Sequence, residues 1–149
     1  MDDGSPAVIV YSTAAPVDPA ALDTLCAAVG WPPRPAPAVA AALAGSYLVA
    51  SLLLRPAAGA GGGGATLVGL ARATSDGAFN ATIWDVLVHP AWQGRGLGKD
   101  LVERVAATLL DAGISNVTLF ADAAALPFYE GLGFEADPEG IRGMFYAGK

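Results

Sequence analysis

Cysteine and histidine are almost missing: the 149 residues hold one of each, Cys26 and His89. A lone cysteine excludes an internal disulfide, and a lone histidine excludes a histidine-rich metal centre, so no metal is expected. Basic residues are scarce as well, eight Lys and Arg against 14 Asp and Glu, for a net charge of −6. No basic stripe can neutralise a phosphate backbone, so nucleic acid is not an expected partner. A cationic small molecule or a basic protein segment suits this acidic field better. Charge is absent from the twenty residues between Arg34 and Arg55, PAPAVAAALAGSYLVASLLL, nearly enough to span a bilayer. Two prolines and Gly45-Ser46 divide that run into an Ala-rich helix and a strand, so no membrane partner is expected. The opening MDDGSPAVIVYS is acidic and lacks arginine, and no signal or transit segment is legible in it.

Apolar residues are plentiful, at 54%, and so is glycine, at 19 residues. That composition and length fit one core and a single domain over residues 1–149. AVIVYS reads as a strand, and DPAALDTLCAAVG as a helix with an acidic start and a terminal glycine, which makes Cys26 a buried structural thiol. AVAAALAG reads as a short helix and SYLVASLLL as a strand. Residues 56–65, PAAGAGGGGA, read as a flexible loop. TLVGLARAT and NATIWDVLVH read as two long strands joined at Asp76-Gly77. From Gly96 to Asp111, the residues Leu97, Leu101, Val102, Val105, Leu109 and Leu110 share one helical face. NVTLFAD reads as a strand, AAALPFYEGLG as a short helix and FEADPEGIRGMFYA as a closing pair of strands. The fold class is α+β, a mixed sheet covered by helices.

Gly94, Gly96 and Gly98 alternate at a strand-to-helix junction, VLVHPAWQGRGLGKDLVERV. A Walker loop is excluded because Gln93 stands five before Gly98 and Asp100 follows Lys99. A dinucleotide fingerprint opened by Gly94 needs glycine where Lys99 stands. What remains is QGRGLG, residues 93–98, whose missing Cβ atoms let successive N–H groups at a helix start surround a pyrophosphate. Arg95 and Lys99 add positive charge there. A glycine-rich connection with no ligand is the alternative.

VHPAWQGRGLG resembles the acyl-CoA pyrophosphate loop of the GNAT superfamily of acetyltransferases, and LFADAAALPFYEGLGF is similar to the second half of that superfamily's pattern. The longer strings ARATSDGAFNATIWDVLVHPAWQGRGLGK, NVTLFAD and FYEGLGFEADPEGIRGMF, with GWPPRP and SYLVASL, resemble the plastid-type serotonin N-acetyltransferases of plants, algae and cyanobacteria. The resemblance runs from about Leu22 onward. It implies a GNAT fold: a mixed, mostly antiparallel sheet of six to seven strands, about four helices and a splayed cofactor gap. It implies acetyl-CoA as cosubstrate, with Gln93, Gly94, Arg95, Gly96, Leu97, Gly98 and Lys99 around the pyrophosphate. The backbones of Leu87 and Val88 would run along the pantetheine arm. Asp122 stands where Asn is usual, at a position expected to contact that arm. Serotonin and related arylalkylamines are the implied acceptors, lysines or N-termini of chloroplast proteins the alternative. A chloroplast location and a homodimer go with the resemblance.

Amine acetylation needs a base, because an alkylamine is mostly protonated at neutral pH. Strict alternation along TIWDVLVH puts Asp85, Leu87 and His89 on one face, with Asp85 two residues before the backbone assigned to the thioester. Asp85 can therefore reach the amine directly or through one water, and the resemblance gives it the base's role. A carboxylate that merely satisfies a strand edge or a turn is the other reading. The N–H of Leu87 is a candidate oxyanion donor. The resemblance makes Tyr129 the acid that protonates the sulfur and gives Asn116 a catalytic role, although Asn116 also looks like an ordinary turn residue. His89 reads as structural. Trp31, Tyr47, Phe79, Trp84 and Phe145 are candidates for an aromatic wall, none of them singled out. A catalytically silent CoA-binding domain is a third reading, and the presence of both Asp85 and Tyr129 argues against it.

Overall fold

A computed structural model describes residues 7–56 and 64–148, so most of the Gly-rich stretch 56–65 lies outside the described residues. Five strands form one sheet in the order of the chain: β1 Val8–Ser12, β2 Leu48–Arg55, β3 Thr66–Ser75, β4 Asn80–Val88 and β5 Asn116–Leu119. The first four pair antiparallel and β5 joins β4 in parallel. A parallel neighbour requires a crossover, and the helix α3, Leu97–Asp111, supplies it. Helices α1, Pro19–Ala28, and α2, Ala36–Ala44, lie between β1 and β2 in the chain. These elements belong to one compact unit, Met1–Leu119. A second unit, Phe120–Lys149, holds α4, Leu126–Glu130, and a 3₁₀ turn at Pro138–Gly140. Among the described residues no helix is long and apolar enough to cross a membrane.

Local chemistry fixes these boundaries. Asp18 caps α1 by accepting the Ala20 N–H, and Pro19 follows at the first helical position. Its apolar spacing buries Leu22, Leu25 and Cys26, which pack with Val39 of α2 and with Leu70 and Leu87 of the sheet. On α3, Leu101, Val102, Val105 and Leu109 are fully buried, and the helix packs along β2, β3 and β4.

The central hairpin depends on Asp76. Its Oδ1 accepts the N–H groups of Ala78, Phe79 and Asn80 at 2.9, 2.8 and 3.0 Å, closing the turn between β3 and β4. Those backbone hydrogen bonds, the one from Asn80 first, lower its carboxyl pKa to about 2. The hairpin register then slips once: Leu70 faces Leu87, but Arg72 faces Trp84. β4 therefore carries one extra residue, a β-bulge at Asp85-Val86, and Asp85 has a left-handed φ of 54°. Asp is among the few side chains that tolerate that conformation. Strict alternation along the strand is broken at this point, yet Asp85 still comes out on the face of Leu87: it meets Arg72, two residues from Leu70 on β3, and Leu70 pairs with Leu87.

The closing pair of strands is also corrected. Among the described residues, five strands stand where six to seven were expected, and 134–148 contribute none. Pro138 sits among left-handed residues Asp137, Glu139 and Gly140 in a 3₁₀ turn, and Met144 and Tyr146 beyond it are each 94% exposed. The stretch has strand-forming residues without a ladder partner, and propensity alone does not make a strand.

Two measurements check these packing claims. Leu109→Ala, at a fully buried site, should cost about 3 kcal/mol in urea unfolding. Asp76→Ala should lower the thermal midpoint at pH 7. Because the folded carboxyl titrates at about 2 instead of 3.8, its contribution is present above the ordinary value, and the gap between the two proteins should close as pH falls toward 2.

Candidate active site

β4 and β5 part company early. Their parallel ladder runs from Asn80↔Asn116 to Ile83↔Leu119, and from Trp84 to Val88 no strand pairs with β4 on that side among the described residues. This is the splayed gap. The strand's own alternation decides which groups face it. The His89 N–H donates to the Val68 carbonyl at 2.7 Å, so His89 points its backbone at β3. Val88 then points away, and Leu87 points back toward β3. The Val88 carbonyl accepts Gln93 Nε2 at 2.8 Å, in keeping with that alternation. Leu87 is thus corrected: its backbone faces the ladder with Leu70, and its side chain is buried in the core. Val88 is the residue whose N–H meets the gap.

After β4 the chain makes a 3₁₀ turn, Pro90–Trp92, capped by His89 Nδ1, which accepts the Ala91 N–H. Gly94 and Gly96 follow with φ of 77° and 78°, left-handed values that glycine adopts without strain, and a Cβ at either would meet nothing within 4 Å. Gly96 is the N-cap of α3 and has no side-chain cap. The N–H groups of Leu97, Gly98 and Lys99 therefore open the helix without an intrahelical acceptor, at the positive end of the dipole. The donor set and the bare backbone fit a pyrophosphate. The Arg95 guanidinium lies over the Trp92 ring, 4.6 Å from its centroid, a cation–π contact that holds the charge beside the loop. Lys99 shares its charge with Glu103, 4.0 Å away one turn on. The Gln93 side chain ties the loop back to β4.

The bulge places Asp85 in a network of charge. Its Oδ2 accepts Arg72 Nε at 2.7 Å, and Arg34 Nη1 reaches both carboxylate oxygens at 3.2 Å. The Arg72 and Asp85 side chains are 14% and 16% exposed, Arg34 37%. Arg72 also donates to Ser46 Oγ at 3.4 Å, and Arg34 Nη2 to Cys26 Sγ at 3.8 Å. Burial pushes the Cys26 thiol pKa up, in keeping with a structural thiol. Sequence reasoning passed over both arginines. A cation inside the apolar strand TLVGLARAT, on the neighbour of a strand bearing the single carboxylate Asp85, was the available signal.

Asn116 is not gathered here. Asn116 pairs with Asn80, Nδ2 to Oδ1 at 2.7 Å, five residues before Asp85 and so about 16 Å away along the strand. It staples the start of the parallel ladder. Tyr129 and Asp122 belong to the second unit. Tyr129 on α4 stacks edge-on against Phe128 and Phe134, and burial, then the Asp122 charge, raises its pKa. Asp122 Oδ1 accepts the Ala125 N–H at 3.0 Å and shapes the turn into α4. Of the aromatic candidates, Trp84 donates to Thr74 Oγ1 at 2.9 Å, and Phe145 packs on Phe120. Phe79 is 75% exposed at the hairpin, and Trp31 and Tyr47 are 37% and 46% exposed. No wall is assembled from them within either unit. Among the described residues no group of His, Cys, Asp and Glu could hold a metal ion.

Comparison with known proteins agrees with this geometry. Residues 24–134 match the family described as Acetyltransferase (GNAT) family. The chain is 56% identical over 146 residues to "Histone acetyltransferase TAP1" of Glycine max, covering 97% of this chain and 63% of that protein. It is 42% identical over 130 residues to "Serotonin N-acetyltransferase 2, chloroplastic" of Oryza sativa subsp. japonica, covering 87% and 62%. The chain spans about three fifths of the length of such relatives. A GNAT family protein from Streptococcus pneumoniae TIGR4, 23% identical, superposes with a TM-score of 0.76 over 95% of this chain and 99% of that one, and shares the fold. The strand that parts from its neighbour, the glycine-opened helix and the family match over most of the chain place this protein in the GNAT acetyltransferase family.

Proposed function

We propose that the chain is an acetyl-CoA-dependent N-acetyltransferase that transfers acetyl to a primary amine by direct attack in a ternary complex. The observation that carries this reading is the unpaired half of β4, which runs from the Asp85 carboxylate to the uncapped start of α3. Acetyl-CoA supplies an activated acyl group on a thioester. The loop from Gly94 to Lys99 would hold its pyrophosphate, and Val88 would offer an N–H to the arm or to the carbonyl oxygen as charge develops there.

The amine nitrogen bonds to the carbonyl carbon as the C–S bond breaks. The amine's proton passes to Asp85, directly or through a water, and the departing thiolate takes one from an acid. The family resemblance assigns that acid to Tyr129, a phenol whose pKa burial pushes above its ordinary value. Asp122 and Asn116 have structural hydrogen-bond partners of their own and carry no step here.

Serotonin or a related arylalkylamine is the acceptor in this proposal, supported by the long motif resemblance and by the name of the rice relative. Protein lysine is the second reading, favoured by the 56% identity to a protein named a histone acetyltransferase. A net charge of −6 attracts either cation. A chloroplast location accompanies the proposal, after the printed names of the rice and Arabidopsis thaliana relatives.

Release of CoA thiol, followed separately with serotonin and with a lysine peptide, tests the reading. Turnover of serotonin is the expected result. Turnover of the peptide alone moves the function to protein acetylation, and CoA binding without either sinks the enzyme reading. Asp85→Asn should cut kcat by about a hundredfold or more. Gly96→Ala forces a Cβ onto a φ of 78° and into the cradle, so KM for acetyl-CoA should rise while KM for the amine stays near its original value.

A further inference from the structure

The two arginines on Asp85 are not equivalent. Arg72 is mostly buried on the sheet and meets Oδ2 through a single short bond of 2.7 Å. Arg34 stands in the turn between α1 and α2, 37% exposed, with one nitrogen divided between both oxygens at 3.2 Å each. A divided bond at that length is weaker than a direct one. The other nitrogen of Arg34 has only a thiol for company, Cys26 Sγ at 3.8 Å, and sulfur is a weak acceptor. Among the described residues Arg34 is the one donor on Oδ1. Arg72 therefore anchors the carboxylate, and Arg34 is a cation the site can release.

We propose that Arg34 occupies, in the acceptor-free protein, the place on Asp85 Oδ1 that the ammonium of the acceptor takes, so that the α1–α2 turn and the substrate compete for one carboxylate oxygen. The inference rests on the amine-acetyltransferase reading above and adds a specificity-determining residue to it. Exchanging one cation for another leaves the charge around Asp85 unchanged, so the exchange avoids stranding an uncompensated ion in a partly buried site. The departing guanidinium belongs to a turn that already reaches solvent. An alkylammonium is compact and carries its donors on one atom, whereas the guanidinium presents a wide planar fork. It can therefore sit on Oδ1 and pass its proton there while Arg72 keeps Oδ2. An acceptor that is neutral at the working pH gains nothing by displacing Arg34.

The test compares wild type with Arg34→Gln and Arg34→Lys. Tryptamine serves as a cationic acceptor and an arylamine as one that is neutral at pH 7. In Arg34→Gln the KM for tryptamine should fall by about fivefold, the scale of one partly exposed ion pair, with the arylamine unaffected and Arg34→Lys close to wild type. Calorimetry with desulfo-CoA bound should show the same tightening for tryptamine without needing turnover. In wild type, saturating tryptamine should speed phenylglyoxal labelling of Arg34, read by mass spectrometry, which keeps the test alive if the Gln variant melts. Equal or weaker tryptamine binding in a folded Arg34→Gln, labelling unchanged by tryptamine, or no tryptamine binding in either protein would overturn the proposal. Tighter binding and faster labelling with no acetyl transfer would leave the exchange standing and remove the enzyme reading instead.

Discussion

One carboxylate holds the middle of this molecule together. Asp85 sits at the bulge in β4 with a left-handed φ, and its ion pairs join β3 through Arg72 and the α1–α2 turn through Arg34. Arg72 carries the link on to Ser46, beyond the end of α2, and Arg34 to Cys26 inside α1. A partly buried ion group of this kind stabilises little in sum, because desolvation offsets most of the attraction. What it provides is definition. If the carboxylate moves, two cations lose their partner, so the backbone conformation at Asp85 is held from two directions although that conformation is unfavourable in isolation.

The second constraint is where hydrogen bonding stops. β4 is paired with β3 on both sides of its bulge but with β5 for only half of its length, and α3 begins with donors that no side chain caps. Buried backbone groups are normally paired, so adjacent stretches left open on one strand and the following helix mark where another molecule completes the ladder. Those donors are fixed before any ligand arrives. Stabilisation of charge developing on a reacting oxygen depends on that fixity, because no reorganisation is then needed during the reaction. The distribution of charge is uneven as well: Arg95 and Lys99 lie at the open start of α3 in a chain whose net charge is −6.

Much of this was legible in the residues. Asp76-Gly77 announced the hairpin, the spacing of Leu101, Val102, Val105 and Leu109 announced α3, and the glycines before it announced the bare-backbone junction at its start. Each of these signals is local. What stayed hidden depends on pairing between distant segments. The partners of Asp85 come from positions 34 and 72, the role of Asn116 depends on facing Asn80, and the segment after Pro138 has strand-like residues but no strand beside it. The bond from the Gln93 side chain to the Val88 carbonyl was hidden as well, since nothing in its neighbours reveals that Val88 needs a donor.

The misassignment of Leu87 shows how far a single inserted residue reaches. In a regular strand side chains and backbone groups alternate with period two, so one extra residue exchanges the two sets for everything downstream. The family resemblance put the backbones of Leu87 and Val88 along the cofactor arm, and in an unbulged β4 the N–H of Leu87 would face the gap. With the bulge, Leu87 turns its backbone to β3 and its side chain into the cluster with Leu22, Leu25 and Leu70, while Val88 takes over the open side. A bulge is therefore what lets one strand carry a carboxylate tied to its sheet neighbour, a core leucine and a free N–H in close succession. The same insertion needs a residue that tolerates the left-handed region, and aspartate meets that need while also bearing the charge. Structural and chemical demands thus converge on position 85, and glycine there would meet only the first.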